Sequence, residues 1–174
     1  MAVVSVKSTS ITNFLAVPRV LDNPYRTRGS DKLATAIAAV ANGDSIASQY
    51  SMFLIPSDAN LRYLAIRTTG VASASAKFGL MRLNPNSGVL STIVANSDGF
   101  FTSVGATGIA ITAASLPAID ILYGTANPIT NAEKRLWEAL GLTVDPNEEW
   151  AVVMTLVAAA TGAGTVQLEA DFVI

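Results

Sequence analysis

The sequence contains no cysteine and no histidine. Without cysteine there can be no disulfides and no thiolate metal ligands, and redox compartment leaves no trace. Without histidine the commonest general base and the commonest metal ligand are both missing. Charge is scarce as well. Lys, Arg, Asp and Glu make up 14% of the 174 residues, against roughly 25% in an ordinary soluble domain. The formal net charge is −2, so there is no basic excess to hold a phosphate backbone, and nucleic-acid binding is not expected. The longest apolar candidate, Ala151 to Ala163, is interrupted by Thr155, Thr161 and Gly162. It is too short to cross a bilayer. Met1 to Lys7 lacks the basic start and apolar stretch of a secretory signal. The expectation is a chain made in the cytoplasm, neither exported nor held in a membrane.

Hydrophobic residues make up 51%, and the length suits one domain with a sizeable core. So much apolar surface with so little charge solvates a lone monomer poorly. It points to a surface covered by further copies or by a partner.

The pattern along the chain is mostly β. Tyr50 to Ile55 reads as a buried strand stopped at Pro56-Ser57-Asp58, and Leu61 to Thr68 as its antiparallel neighbour. Ala76 to Leu83 follows, with Ala76, Phe78 and Leu80 on one face; Leu83 falls out of phase and suggests a bulge. Asn84-Pro85-Asn86-Ser87-Gly88 is a turn. Val89 to Ala95 and Ala118 to Tyr123 are further strands, and Phe100-Phe101-Thr102 is a possible start of another. Leu33 to Ala41 is alanine-rich enough for a helix, but its β-rich surroundings favour a strand turning at Asn42-Gly43-Asp44. From Trp150 to Ala158 the bulky residues sit at Trp150, Val152, Met154 and Leu156. The last strand alternates Val166, Leu168, Ala170 and Phe172 against Thr165, Gln167, Glu169 and Asp171. One helix is expected over residues 131–141, with Thr130 and Glu133 as a capping box and Gly141 as its stop. About eight short strands with regular turns make an all-β, jelly-roll-like antiparallel sandwich over residues 32–174.

Residues 1–31 differ. Pro18 and Pro24 interrupt them, and Lys7, Arg19, Arg26 and Arg28 lie among Phe14, Leu15, Val17 and Tyr25. Two readings fit: an extended arm that orders against a neighbour, or an edge strand plus a loop of the same domain.

Chemistry is thin. Glu169 and Asp171 share a strand face about 7 Å apart, a spacing compatible with a glycosidase pair. A solvated face gives the same pattern. Asp145, Glu148 and Glu149 cluster without the Asp/Asn/Gly density of a calcium loop. Serines have no histidine partner, and the glycine-rich stretches lack the residues of a phosphate loop. Trp137 and Trp150 could stack on a sugar but sit on apolar faces, as core residues do. Neither enzymatic activity nor a cofactor is expected.

Several segments in combination carry a resemblance. They are Ile55-Pro56-Ser57-Asp58-Ala59-Asn60, Lys77-Phe78-Gly79-Leu80, Glu133-Lys134-Arg135-Leu136-Trp137-Glu138-Ala139-Leu140-Gly141-Leu142, and the closing hairpin with Ala158-Ala159-Ala160-Thr161. From about Asp44 to Ile174 the chain resembles the capsid decoration, or cement, proteins of tailed bacteriophages. The resemblance implies a non-enzymatic virion protein on the outside of the shell, a homotrimer that bridges capsomers of the major capsid protein. It transfers no binding residues. The N-terminal arm supplies the contact candidates: Phe14, Leu15 and Tyr25 as apolar anchors, with Arg19, Arg26 and Arg28 to pair with shell carboxylates. The competing expectation is a carbohydrate-binding or host-adhesion module.

Overall fold

The computed structural model describes residues 3–16, 31–95, 97–101, 108–112, 119–123 and 127–174. The strands are β1 (Ser5–Lys7), β2 (Asp31–Val40), β3 (Gln49–Pro56), β4 (Asn60–Thr68), β5 (Ser75–Leu83), β6 (Leu90–Thr92), β7 (Ile109–Ala110), β8 (Ile119–Asp120), β9 (Glu149–Ala158) and β10 (Gly164–Val173). Among the described residues there are also two short α-helices, α1 (Thr9–Leu15) and α2 (Leu136–Ala139), and 3-10 turns at Ser97–Gly99 and Ile129–Asn131.

One sheet runs β2-β10-β4-β8 and the other β1-β3-β9-β5-β6, with β7 also on β5. Counted from β2, with β6 and β7 sharing one place, the orders are first-eighth-third-sixth and second-seventh-fourth-fifth. That is the strand order of a jelly roll. The sequence expectation of an all-β sandwich therefore holds. Of Leu33 to Ala41, ambiguous on propensity, all but Ala41 lies in β2, which pairs with β10 along its whole length.

The core lies between the sheets. Trp150, Val152 and Met154 are fully enclosed and lie beside the equally buried Tyr50, Phe78 and Leu80 on the inner face of the same sheet. Val166, Leu168, Ala170 and Phe172 close it from the other side, as their alternation predicts.

A second, smaller apolar layer lies outside this sandwich. Ile11 on α1 is fully buried against Met81, Leu83, Ala151 and Val153, with Leu15, Leu54 and Leu90 packed around them. The first residues are thus part of the domain. β1 pairs with β3 in parallel, the one parallel pairing among the described strands. The register of β3 on β9 shifts between Ser51 and Phe53, which frees the Met52 carbonyl from the ladder. The Ser8 hydroxyl donates to that carbonyl. Ser8 also caps α1, its Oγ accepting from the Ile11 amide at 3.3 Å. Of the two readings of residues 1–31, the edge strand describes residues 5–7, and residues 9–15 form a helix on their own sheet; an extended arm does not describe these two segments.

Four local expectations are corrected. Leu61 to Thr68 is not the neighbour of Tyr50 to Ile55: β4 crosses to the other sheet, where it lies between β10 and β8. Leu83 is not at a bulge: it pairs in register with Leu90 and continues the outward row of Gly79 and Met81, apolar because α1 lies over it. Phe100 and Phe101 do not open a strand but form a turn with their rings edge to face, centroids 5.1 Å apart. The late helix begins at Leu136, after a separate 3-10 turn at Ile129–Asn131. Its start is set by the β3–β4 turn, whose Ala59 and Ser57 carbonyls accept from the Leu136 and Trp137 amides at 2.9 and 3.0 Å. Glu138, not Glu133, reaches back to its N-cap, accepting from the Arg135 amide at 3.0 Å. Gly141 ends the helix as expected, at φ 78°. Leu142 donates to the Trp137 carbonyl and Gly141 to that of Glu138, the paired bonds of a Schellman motif.

Candidate interaction surfaces

The outer faces of the two sheets differ. That of β3-β9-β5 is covered by α1. On the β2-β10-β4 sheet the outer face is open, with Leu33 and Ile37 49% and 62% exposed. Across it Ile37, Gln167 and Arg67 stand in one row over β2, β10 and β4, and Leu33, Asp171 and Tyr63 in another. Arg67 Nη1 donates to Glu169 Oε2 at 2.8 Å, and Arg62 faces Asp31 at 3.4 Å. Glu169 and Asp171 are therefore members of a mixed charged and apolar sheet face, and one of them is already engaged by a guanidinium.

The N-terminal candidates divide. Leu15 is half-buried against the sheet of its own chain. Phe14 is on α1, with its side chain outside the described set. Arg19, Tyr25, Arg26 and Arg28 lie outside the described residues. Of the six, the structure describes Leu15 and the backbone of Phe14, both on α1.

The tryptophans are not exposed platforms. Trp150 is wholly enclosed, and its indole N–H donates to Glu148 Oε2 at 3.1 Å. Trp137 is half-buried, packed against the core. Among the described residues no three or more Asp or Glu side chains are placed to hold a metal ion, and no helix is long and apolar enough to cross a membrane.

A cleft of about 540 Å³ opens beside the β5–β6 turn, lined by Arg82, Leu83, Asn84, Pro85, Asn86, Ser91, Glu148 and Glu149. The Asn84 carboxamide shapes the turn, accepting from the Asn86 and Ser87 amides at 2.9 and 3.2 Å. Arg82 Nε donates to Glu148 Oε2 at 2.7 Å. Nearby, Asp145 accepts from the Ser57 hydroxyl at 2.5 Å and from the Asn147 amide at 2.9 Å. The recess has a mostly apolar wall rimmed by fixed charges, and sequence reasoning found its carboxylates but not the arginine that neutralises one of them.

These contacts make the end of the sandwich acid-sensitive. The Ser57 hydroxyl and then the Asn147 amide hold the Asp145 carboxyl below its ordinary value, against a smaller opposing effect of desolvation, with Arg135 adding to the lowering. Burial pushes Glu148 up, but donation from Arg82 and Trp150 outweighs it, and this carboxyl too ends lowered. A carboxyl depressed in the folded state stabilises it above the unfolded value, and the stabilisation is lost as pH falls through the folded value. The unfolding free energy is expected to change little down to about pH 5 and to fall below about pH 4. The Asp145→Asn, Glu148→Gln double variant will show a shallower acid fall in urea titrations; an equal slope would remove both groups from the account.

No family model matches the sequence, and no curated protein matches it. Solved structures do. A chain of the capsid of Ralstonia phage GP4 superposes with a TM-score of 0.57 at 10% identity, covering 97% of this chain and 97% of that one. A chain of the cyanophage Pam1 capsid asymmetric unit gives 0.50 at 15% identity, covering 90% and 93%. The likeness is one of fold. It extends over nearly the whole length of both partners, so the jelly roll with its added N-terminal elements is compared as one unit.

Proposed function

We propose that this protein is a structural component of a bacteriophage virion, which binds the outer surface of the capsid and reinforces contacts between capsomers. The observation that carries the reading is the shared fold, end to end, with a chain of a phage capsid. The chemistry of the chain agrees. It has no histidine or cysteine, and the cleft beside the β5–β6 turn is held by an ion pair. Its partner is the major capsid protein, and it acts as a trimer, so that modest contacts repeated over the lattice become collectively strong. It works through surface alone, without a cofactor and without catalysis. Arg19, Arg26 and Arg28 pair with shell carboxylates and Phe14 and Tyr25 serve as apolar anchors, while Leu15 stays with its own domain.

Co-sedimentation with phage shells emptied of their own outer proteins tests this. The intact chain will pellet with the shells. The Arg19→Glu, Arg26→Glu, Arg28→Glu triple variant will bind about tenfold or more weakly, because like charges then face each other across the contact. No co-sedimentation at any concentration would overturn the capsid reading. Unchanged binding by the variant would overturn only the role of the arginines.

A further inference from the structure

The turn after β2 carries Asn42-Gly43, and no other asparagine of the chain is followed by glycine. The neighbour matters because an asparagine carboxamide can be attacked by the main-chain nitrogen of the next residue. Asn23, Asn84 and Asn127 precede prolines, whose nitrogen has no proton to lose. The remaining asparagines precede residues whose Cβ crowds the approach, and glycine has none.

The fold leaves this pair open. Asn42 is exposed, and among the described residues its carboxamide has no hydrogen-bond partner. A Cβ on Gly43 would meet nothing within 4 Å, so a ring has room to close there. Gly43 sits at φ 93°, a conformation that favours glycine. The turn itself therefore requires the small residue that makes its neighbour reactive. One contact opposes the reaction. The Gly43 amide donates to the Ala160 carbonyl at 3.0 Å, and the Ala160 amide donates to the Asp44 carbonyl at 3.0 Å. The nucleophile is released only when the connections 41–48 and 159–163 part. Asn86-Ser87 is an internal contrast. Asn86 is also exposed, but the Ser87 amide is held by Asn84 Oδ1 at 3.2 Å, and Ser87 has a Cβ. Asp98-Gly99 offers a glycine too, but behind a carboxylate, a poor electrophile, which is paired with Lys77.

We propose that Asn42 is a site of spontaneous deamidation in the folded protein. The Gly43 nitrogen, its proton taken by hydroxide, bonds to the Asn42 side-chain carbonyl carbon. That carbon's bond to its amide nitrogen breaks, and ammonia leaves with a proton from water. The five-membered imide then takes up water. Opening at the side-chain carbonyl leaves aspartate. Opening at the main-chain carbonyl leaves isoaspartate, with the chain rerouted through the side chain. Both products gain a negative charge at an exposed position. Only the second lengthens the turn, which displaces Gly43 and Asp44 from Ala160. The proposal goes beyond the capsid reading and does not depend on it.

The test incubates the full-length protein at mildly alkaline pH and maps its peptides by mass spectrometry over time. The peptide containing Asn42 is expected to gain the mass of an acid in place of an amide, in two chromatographic forms. It will do so about tenfold faster than the peptide containing Asn86. In concentrated urea, where the Ala160 contact is lost, conversion at Asn42 is expected to be about tenfold faster again. Asn42→Gln, whose longer side chain would have to close a six-membered ring, will stay unconverted at that position. No conversion at Asn42 in the folded protein overturns the proposal, as does equal conversion at Asn42 and Asn86. A rate unchanged by urea overturns the restraint assigned to Ala160.

Discussion

Gly79→Ala will lower the unfolding free energy by about 3 kcal/mol or more, at the upper end of what overpacking a core does. A Cβ at position 79 would lie 2.2 Å from the Ser97 carbonyl oxygen, 2.3 Å from the Asp98 carbonyl carbon and 2.6 Å from the Asp98 oxygen. All three are backbone atoms, so no side chain can swing aside. The turn that carries them cannot easily withdraw either. Ser97 donates its amide to Val94 at 3.1 Å, and its hydroxyl accepts from Ile93 at 3.1 Å. Beyond the turn, the Phe101 amide donates to the Phe78 carbonyl at 2.9 Å, and the Phe101 ring is fully buried. Lys77 and Asp98 pair across the same contact. Gly99→Ala is the control: its Cβ would meet only the Lys77 side chain, at 3.8 Å, and it should cost less than about 1 kcal/mol. Urea midpoints for the two variants decide the matter, and equal midpoints would mean that the turn does not pack on β5 as described.

A chain that begins at Asp31 will be destabilised by about 3 to 5 kcal/mol. It loses the buried Ile11 and the partly buried Leu15 from over Met81, Leu83, Ala151 and Val153. It also loses the strand pairing of Ser5–Lys7 with β3 and the Ser8 bond to the bulge carbonyl. The uncovered face is contiguous and apolar, so the shortened chain should bind a dye such as ANS and aggregate more readily than the intact one. Denaturation midpoint and dye fluorescence are the readouts. A truncated chain with the midpoint of the intact protein would show that α1 contributes nothing. The consequence for function is practical. Loss of shell binding on truncation mixes two effects, whereas the arginine substitutions leave the helix in place.

The strands announced themselves where one physical rule dominated. β10 has one face in the core and one in solvent, so its alternation is clean. β9 is nearly all buried, on one side by the main core and on the other by α1. Its even-numbered bulky residues were legible, but the reason for Ala151 and Val153 between them was not, because the covering element lies more than a hundred positions away in sequence. α1 itself was illegible for a related reason. Thr-Ser-Ile-Thr-Asn-Phe-Leu has weak helix propensity, and its stability comes from a cap and a buried isoleucine supplied by tertiary contact. In α2 the capping pattern at Thr130 and Glu133 lost to backbone bonds from Ser57 and Ala59, which no local window contains. The interaction surfaces were visible in the sequence only as a shortage of charge.

The jelly-roll order also carries a consequence for synthesis. β10 lies between β2 and β4, so nothing joins these two strands, made early, into a sheet until residues 164–173 have emerged from the ribosome. Until then one sheet exists only as separate pieces with apolar sides exposed. Closing pairings such as Asp31 with Val173 joins distant stretches of chain, and such contacts form slowly. Refolding is therefore expected to be slow and sensitive to protein concentration. In the cell, yield will depend on how well the waiting strands are kept apart from those of neighbouring chains.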